Sequence, residues 1–317
     1  MLKERYQSNY GVQVHREQAI HTIILVMAAL ILISLAAVVF IGRVNRQGNE
    51  KQELLRLWEN GAYGESFAIS GEKLADKPMD YFFLSIHGFS AYQMAIAQIN
   101  AHDTMTFIDE CIWSLRKALL TKQGLRDPRI FYVLGKAYYY KGPSYADLAV
   151  AFLEKARDAL YNARDIPEYL GLAYAAIHDY RNSVAAFTLA LNPGEAWGES
   201  SGEPSDLLFL SIARSYRELG EMETARAYLL RCIETSRDSS VIQAAKLLLG
   251  MILGSTGQTA EAEALYLAIL EEDEDNAEAN FQLGELYAAQ GDATRARARW
   301  RRAAPSHSQA WARLNNM

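Results

Sequence analysis

Cysteine is almost missing from these 317 residues: Cys111 and Cys232 are the only two, too far apart for a metal-ligand pair and too few for a disulfide framework. No Asn-x-Ser/Thr glycosylation acceptor occurs, which favours a bacterial or cytosolic setting over a eukaryotic secretory one. The six histidines are scattered, without a His-Glu-x-x-His pair, and no glycine-rich phosphate loop is present. Neither a metal nor a nucleotide cofactor is therefore expected. An excess of one charge is also lacking, since 32 basic and 38 acidic residues leave a net charge of only −6. Such a balance gives no footprint for nucleic acid. What the chain has is apolar content, 50% of it, enough to bury a large core.

One stretch concentrates that content. Residues 19–41 carry no charge, and only His21, Thr22 and Ser34 are polar. At about 1.5 Å per helical residue such a run crosses a hydrocarbon layer of roughly 30 Å. Phe40, Ile41, Gly42 and Arg43 follow it instead of a small-residue cleavage site. The expectation is an uncleaved signal anchor over 19–42 behind a short tail over 1–18. Lys3, Arg5 and Arg16 before the span nearly balance Arg43, Arg46, Lys51 and Arg56 after it, so the positive-inside count is close to a tie. Long domains translocate largely regardless of charge. The expectation is accordingly a single-pass inner (cytoplasmic) membrane protein with its large domain on the periplasmic, extracytoplasmic side.

Beyond the span the chain repeats itself. Leu283, Gly284, Tyr287, Gly291, Ala296, Trp300 and Ala303 are matched 34 residues earlier by Leu249, Gly250, Leu253, Gly257, Ala262, Tyr266 and Ile269. Upstream copies run through Ile212, Ala213, Tyr216, Gly220, Ala225, Leu229 and Cys232; through Leu170, Gly171, Tyr174, Ser183, Phe187 and Ala190; and through Leu134, Gly135, Tyr138, Gly142, Ala149, Leu153 and Ala156. Fainter traces are Gly61, Tyr63, Ser66 and Pro78, then Leu84, Gly88, Cys111, Leu115 and Ala118. This pattern resembles the tetratricopeptide-repeat (TPR) family, a helix-turn-helix unit of 34 residues.

The resemblance implies an all-α solenoid, a right-handed superhelix of helical hairpins, over residues 43–310. Clear repeats fall at 128–163, 164–197, 206–239, 243–276 and 277–310, degenerate ones at 47–80 and 81–124, and a capping segment at 308–317. Small residues where two helices cross let their backbones approach, and each hairpin needs its neighbours for stability. Tyr138, Tyr174, Tyr216, Tyr287, Phe187, Tyr266 and Trp300 are thus expected in the core, and Cys111 and Cys232 as buried, reduced thiols.

Motifs that imitate chemistry are weak. Gly198-Glu199-Ser200-Ser201-Gly202 has the letters of a nucleophile elbow but sits in a polar insertion over 194–205, which also holds Trp197, instead of between a strand and a helix. The acidic run 271–275 lacks the spacing of a calcium loop, and Arg295, Arg297, Arg299, Arg301 and Arg302 spread around a helix instead of forming a stripe. That run offers the arginines an internal partner, the alternative being contact with anionic lipid or an acidic protein. No enzyme is expected. Two classes remain: a membrane-tethered protein-interaction scaffold that assembles or stabilises an envelope complex, and a chaperone-like accessory subunit handling polypeptide substrates.

The resemblance further implies a concave groove lined by the second, fifth, ninth, twelfth and thirteenth residues of each repeat. These are Arg129, Tyr132, Lys136, Tyr139 and Tyr140 in one repeat, Asp165, Glu168 and Leu172 in the next, and Leu207, Leu210, Arg214 and Arg217 in the third. Tyr138, Tyr139 and Tyr140 cannot all face inward on one helix, so at least one is expected at the surface. Basic groups beside aromatics suit a protein or peptide ligand of acidic, partly apolar character. The ninth positions, Lys136, Leu172, Arg214, Met251 and Glu285, lack the asparagine of the family's carboxylate clamp. The same side chains would also serve merely to solvate the groove or to receive the chain's own tail. Tyr132→Ala with Lys136→Ala, or Arg214→Glu with Arg217→Glu, is expected to abolish partner co-purification while leaving the thermal transition intact.

Overall fold

The computed structural model describes residues 48–98, 100–191 and 205–315. Among these the chain is helical hairpins throughout, without a strand. The helices are α1 (48–59), α2 (Tyr63–Asp76), α3 (Tyr81–Ile96), α4 (Ala101–Ala118), α5 (Pro128–Lys141), α6 (Ala146–Asp158), α7 (Ile166–Ala176) and α8 (Tyr180–Leu191). They continue with α9 (Asp206–Glu218), α10 (Met222–Thr235), α11 (Ser239–Ser255), α12 (Thr259–Glu272), α13 (Ala277–Ala289), α14 (Ala293–Ala303) and α15 (Ser308–Asn315). The insertion 194–204 and the charge-free stretch 19–41 lie outside the described residues. Among the described residues no helix is long and apolar enough to cross a membrane.

Local chemistry explains where the helices begin and turn. Asp80, Asn100, Asp127, Asp238, Asn276 and Asp292 cap six of them, each carboxylate or amide oxygen accepting a backbone N–H that the first turn leaves without a partner. Within hairpins the chain reverses through a left-handed residue, as at Gly257 and Gly291 (φ +84° and +81°). In the 164–197 repeat His178 takes that place with φ 62°.

Packing follows the repeat. The helix-crossing glycines meet a large side chain of the second helix: an added Cβ would lie 2.4 Å from Phe187 Cδ1 at Gly171 and 2.6 Å from Trp300 Cδ1 at Gly284. Phe187, Tyr266, Trp300, Tyr138 and Tyr287 are buried, as are the free thiols of Cys111 and Cys232. Tyr174 and Tyr216, expected beside them, are only partly buried and pack at the edges of the core clusters; the Tyr174 hydroxyl donates to the Glu154 carboxylate at 2.7 Å.

Short connections make successive helices antiparallel. The turns inside hairpins therefore lie along one edge of the solenoid and the turns between hairpins along the other. Odd-numbered helices also touch the next odd-numbered helix from α3 to α13, so their side is the concave one. The C-terminal hairpin is tied down by α15, whose Arg313 donates to Glu285 at 2.7 Å, and Arg302 pairs with Glu274 of the acidic run.

Candidate functional site

An open cleft of about 300 Å³ indents the concave face between α1, α3 and α5. Its walls are mostly apolar or aromatic: Leu55 and Trp58 from α1, Tyr81, Phe82, Ile86, Phe89 and Tyr92 from α3, Tyr132 and Val133 from α5, and Tyr161 from the turn before α7. The polar lining is Glu59, Ser85, Gln93 and Arg129. The Trp58 indole N–H is buried without an acceptor among the described residues.

Two carboxylates organise the floor and one end of this surface. Asp127, buried at the start of α5, accepts from Arg129 Nε and Nη2 at 2.9 and 2.7 Å and from the Tyr81 hydroxyl. Burial by itself would raise the Asp127 pKa, but the hydrogen bonds from Arg129 and Tyr81 outweigh it and hold the carboxyl below its ordinary range. Asp165, before α7, accepts from Tyr132 Oη at 2.8 Å and from Lys136 Nζ at 2.7 Å. Lys136 is ringed by aromatic faces, its Nζ lying 4.3 Å from the Tyr169 centroid, 5.0 Å from Tyr132 and 5.7 Å from Tyr92. Burial pushes the phenols of Tyr92, Tyr132 and Tyr169 well above the ordinary tyrosine range, so each remains a neutral donor.

Tyr132, Lys136 and Asp165, three of the groove residues expected from sequence, are thus joined directly. Tyr139 and Tyr140 stand beside them: Tyr139 packs edge-on against Tyr169 at 5.5 Å, and the exposed Tyr140 shares a hydrogen bond of 2.9 Å with the Tyr169 hydroxyl. Glu168 bonds to Ser205 at the start of α9. Arg129 projects over Phe89, 5.7 Å from its centroid. Further along, Leu207 is exposed, Arg217 pairs with Glu218, and Arg214 is exposed on the same helix, its pKa lowered by partial desolvation and by the Arg217 charge. Leu210 departs from the expectation. It is only 1% exposed and belongs to the core cluster that holds Ala245 and Leu249, because α11 covers that side of α9.

The pairing changes the electrostatic reading. Lys136, Arg129 and Arg217 are countered by Asp165, Asp127 and Glu218, so three of the four basic groove residues carry a counter-charge within the chain, while Arg214 is exposed. Ser70, His87 and Glu110 imitate a nucleophile–base–carboxylate array, with Ser70 Oγ 3.1 Å from His87 Nδ1. Ser70 is fully buried and donates to the Ser66 carbonyl at 2.6 Å, so no substrate reaches it. Among the described residues no group of three or more His, Cys, Asp or Glu side chains could hold a metal ion.

The α1 and α3 walls escape a sequence reading because the first two hairpins are degenerate. Counting from Gly88 as the eighth residue, however, the five groove positions of α3 are Phe82, Ser85, Phe89, Tyr92 and Gln93, all of which line the cleft. In the 47–80 repeat the ninth, twelfth and thirteenth positions are Leu55, Trp58 and Glu59, which do so too.

The hairpin solenoid defines the class, and comparison with known proteins narrows it. Tetratricopeptide-repeat sequence profiles match residues 208–239 and 255–316. The C-terminal part of a TPR repeat-containing protein from Cytophaga hutchinsonii superposes with TM-score 0.55 at 15% identity, covering 82% of this chain and 97% of that one. A tetratricopeptide repeat protein from Parabacteroides merdae gives 0.52 at 16% identity, covering 81% and 93%. The Cut9–Hcn1 hetero-tetramer of the APC/C gives 0.52 at 12% identity, with 83% of this chain and 47% of that chain covered. No curated protein sequence matches significantly. The fold is that of a TPR solenoid, and its C-terminal repeats are tetratricopeptide repeats in sequence as well.

Proposed function

We propose that this protein is a membrane-tethered interaction scaffold whose concave groove holds an extended segment of a partner polypeptide. The observation that carries this reading is the aromatic cleft between α1, α3 and α5, which has room for one or two large apolar side chains. Tyrosine hydroxyls and Gln93 at its margin supply hydrogen bonds to a peptide backbone, while apolar walls supply affinity. The tether is residues 19–41, and the solenoid stands on the extracytoplasmic side of the inner membrane. Its role there is to assemble or stabilise an envelope complex. Lys136, Arg129 and Arg217 are paired within the chain, which also favours a second, chaperone-like reading in which many apolar segments bind.

Both readings are tested by probing the full chain in detergent against an array of short synthetic peptides. Bound peptides should share a large apolar or aromatic residue, in a narrow motif for a scaffold and broadly for a chaperone. Leu55→Glu with Phe82→Glu, at the accessible rim of the cleft, should weaken binding by about tenfold or more, equivalent to ~1.4 kcal/mol, with the melting temperature nearly unchanged. Undiminished binding by this variant would move the interface to the convex face or the 194–205 loop.

A further inference from the structure

The edge formed by the turns between hairpins is chemically uneven. Its N-terminal half presents large aliphatic side chains to solvent: Met79 between α2 and α3, Leu120 and Leu125 between α4 and α5, and Leu160 between α6 and α7. Leu120 is 75% exposed and Leu160 is 89% exposed. Leu160 also adopts a left-handed backbone with φ 55°, a conformation that costs a bulky residue free energy and that glycine or asparagine would adopt more easily. The left-handed turn closes α6, the Leu160 N–H donating to the Arg157 carbonyl at 2.9 Å and the Tyr161 N–H to the Ala156 carbonyl at 3.0 Å, but it leaves the leucine side chain itself in solvent. Exposed Lys122 and Arg126 stand beside Leu120 and Leu125, and neither pairs with a carboxylate among the described residues. The C-terminal half of the same edge is different: the turn 236–238 is Ser-Arg-Asp, and 271–275 is wholly acidic.

The start of α1 lies on this same edge. Lys51 Nζ is 3.4 Å from Asp80 in the α2–α3 turn, and Lys73 Nζ at the end of α2 is 3.2 Å from Glu50. Contacts then run from turn to turn: Tyr81 to Asp127, Tyr132 to Asp165, Glu168 to Ser205. Residues 42–47 alone separate α1 from the charge-free stretch 19–41, and they include Arg43 and Arg46. Six residues reach at most about 20 Å when fully extended.

We infer that the N-terminal half of this edge seats on the bilayer surface, with Met79, Leu120, Leu125 and Leu160 dipping into the headgroup region and Lys122 and Arg126 meeting anionic lipid phosphates. At the far end Glu272 and Glu274 pair with Lys246 and Arg302, and the remaining Glu271, Asp273 and Asp275 are repelled from the same surface, so the solenoid tilts away from the membrane toward its C-terminus. The seating holds the aromatic cleft near the bilayer, open to a partner segment that emerges from it. This inference rests on reading residues 19–41 as a membrane span.

The test uses the full chain in vesicles of phosphatidylcholine with or without phosphatidylglycerol. An environment-sensitive fluorophore is attached at Gln123→Cys or Asn162→Cys on the seated edge, and at Asn60→Cys or Ser144→Cys on the opposite edge, the native thiols being buried. Retention on floated vesicles after an alkaline carbonate wash tests the span. A chain stripped by that wash would overturn the anchor reading and the seating with it. With the chain retained, lipid-attached quencher should dim the labels at 123 and 162 far more than those at 60 and 144, and more strongly with phosphatidylglycerol. Leu120→Ser with Leu160→Ser should reduce the quenching, and Lys122→Glu with Arg126→Glu should abolish its dependence on phosphatidylglycerol. Equal quenching on both edges would overturn the seating while leaving the anchor intact. Shielding at 123 and 162 that rises with protein concentration and not with lipid quencher would overturn it in favour of a second copy of the chain.

Discussion

Phe187→Ala should cost about 3–5 kcal/mol of unfolding free energy and split a single transition into two. The ring is fully buried, and it lies so close to α7 that a Cβ on Gly171 would come within 2.4 Å of it. With Leu208 and Ile212 it forms the small apolar cluster that couples α8 to α9. Larger clusters lie on either side, one spanning α1 to α7 and the other α9 to α15. In a solenoid, stability is approximately the sum of repeat terms and nearest-neighbour terms, so a cavity at this joint weakens the link more than either block. Urea unfolding followed by circular dichroism should show two separated steps. A single transition with an unchanged midpoint would contradict the register that sets Gly171 against Phe187.

Asp165→Ala should cost about 2–4 kcal/mol, somewhat below the usual cost of stranding a buried charge because Asp165 itself is partly open to water. The side chain of Lys136 is only 11% exposed and would keep its aromatic ring of neighbours without a counter-charge. Lys136→Met added to Asp165→Ala should recover most of the loss, a coupling that a double-mutant cycle measures directly. The same geometry revises an expectation from the sequence, for Tyr132→Ala with Lys136→Ala removes the hydrogen bonds that join the 128–163 and 164–197 repeats. That pair of changes therefore lowers stability as well as altering the groove. Additive losses in the cycle would mean that the two residues act independently.

Sequence periodicity reveals the C-terminal hairpins best because Gly250 with Tyr266 and Gly284 with Trp300 repeat one spacing without a gap. The first hairpins hide for a physical reason: Gly88 meets Leu115 near the C-terminal end of α4, which is longer than the second helix of every other hairpin, so the partner lies much farther along the chain. Gly88 and Leu115 show only as a faint trace at a stretched spacing, and groove positions drawn from the clear repeats alone leave out Trp58, Phe82 and Phe89. Charge pairing is hidden more deeply. Lys136 and Asp165 belong to different repeats, and nothing local to either shows that the turn before α7 carries the carboxylate back to α5. Leu210 misleads in the opposite direction, since its position matches that of Tyr132, but α11 buries it on α9.

Site-specific photocrosslinking in cells tests the groove most directly. Benzoylphenylalanine replaces Phe82 in the cleft in one strain and the exposed Trp113 of α4 in another. The account predicts discrete polypeptide adducts from position 82 that disappear when Leu55→Glu is added, and few or none from position 113. Adducts from position 113 alone, with position 82 silent, would contradict it.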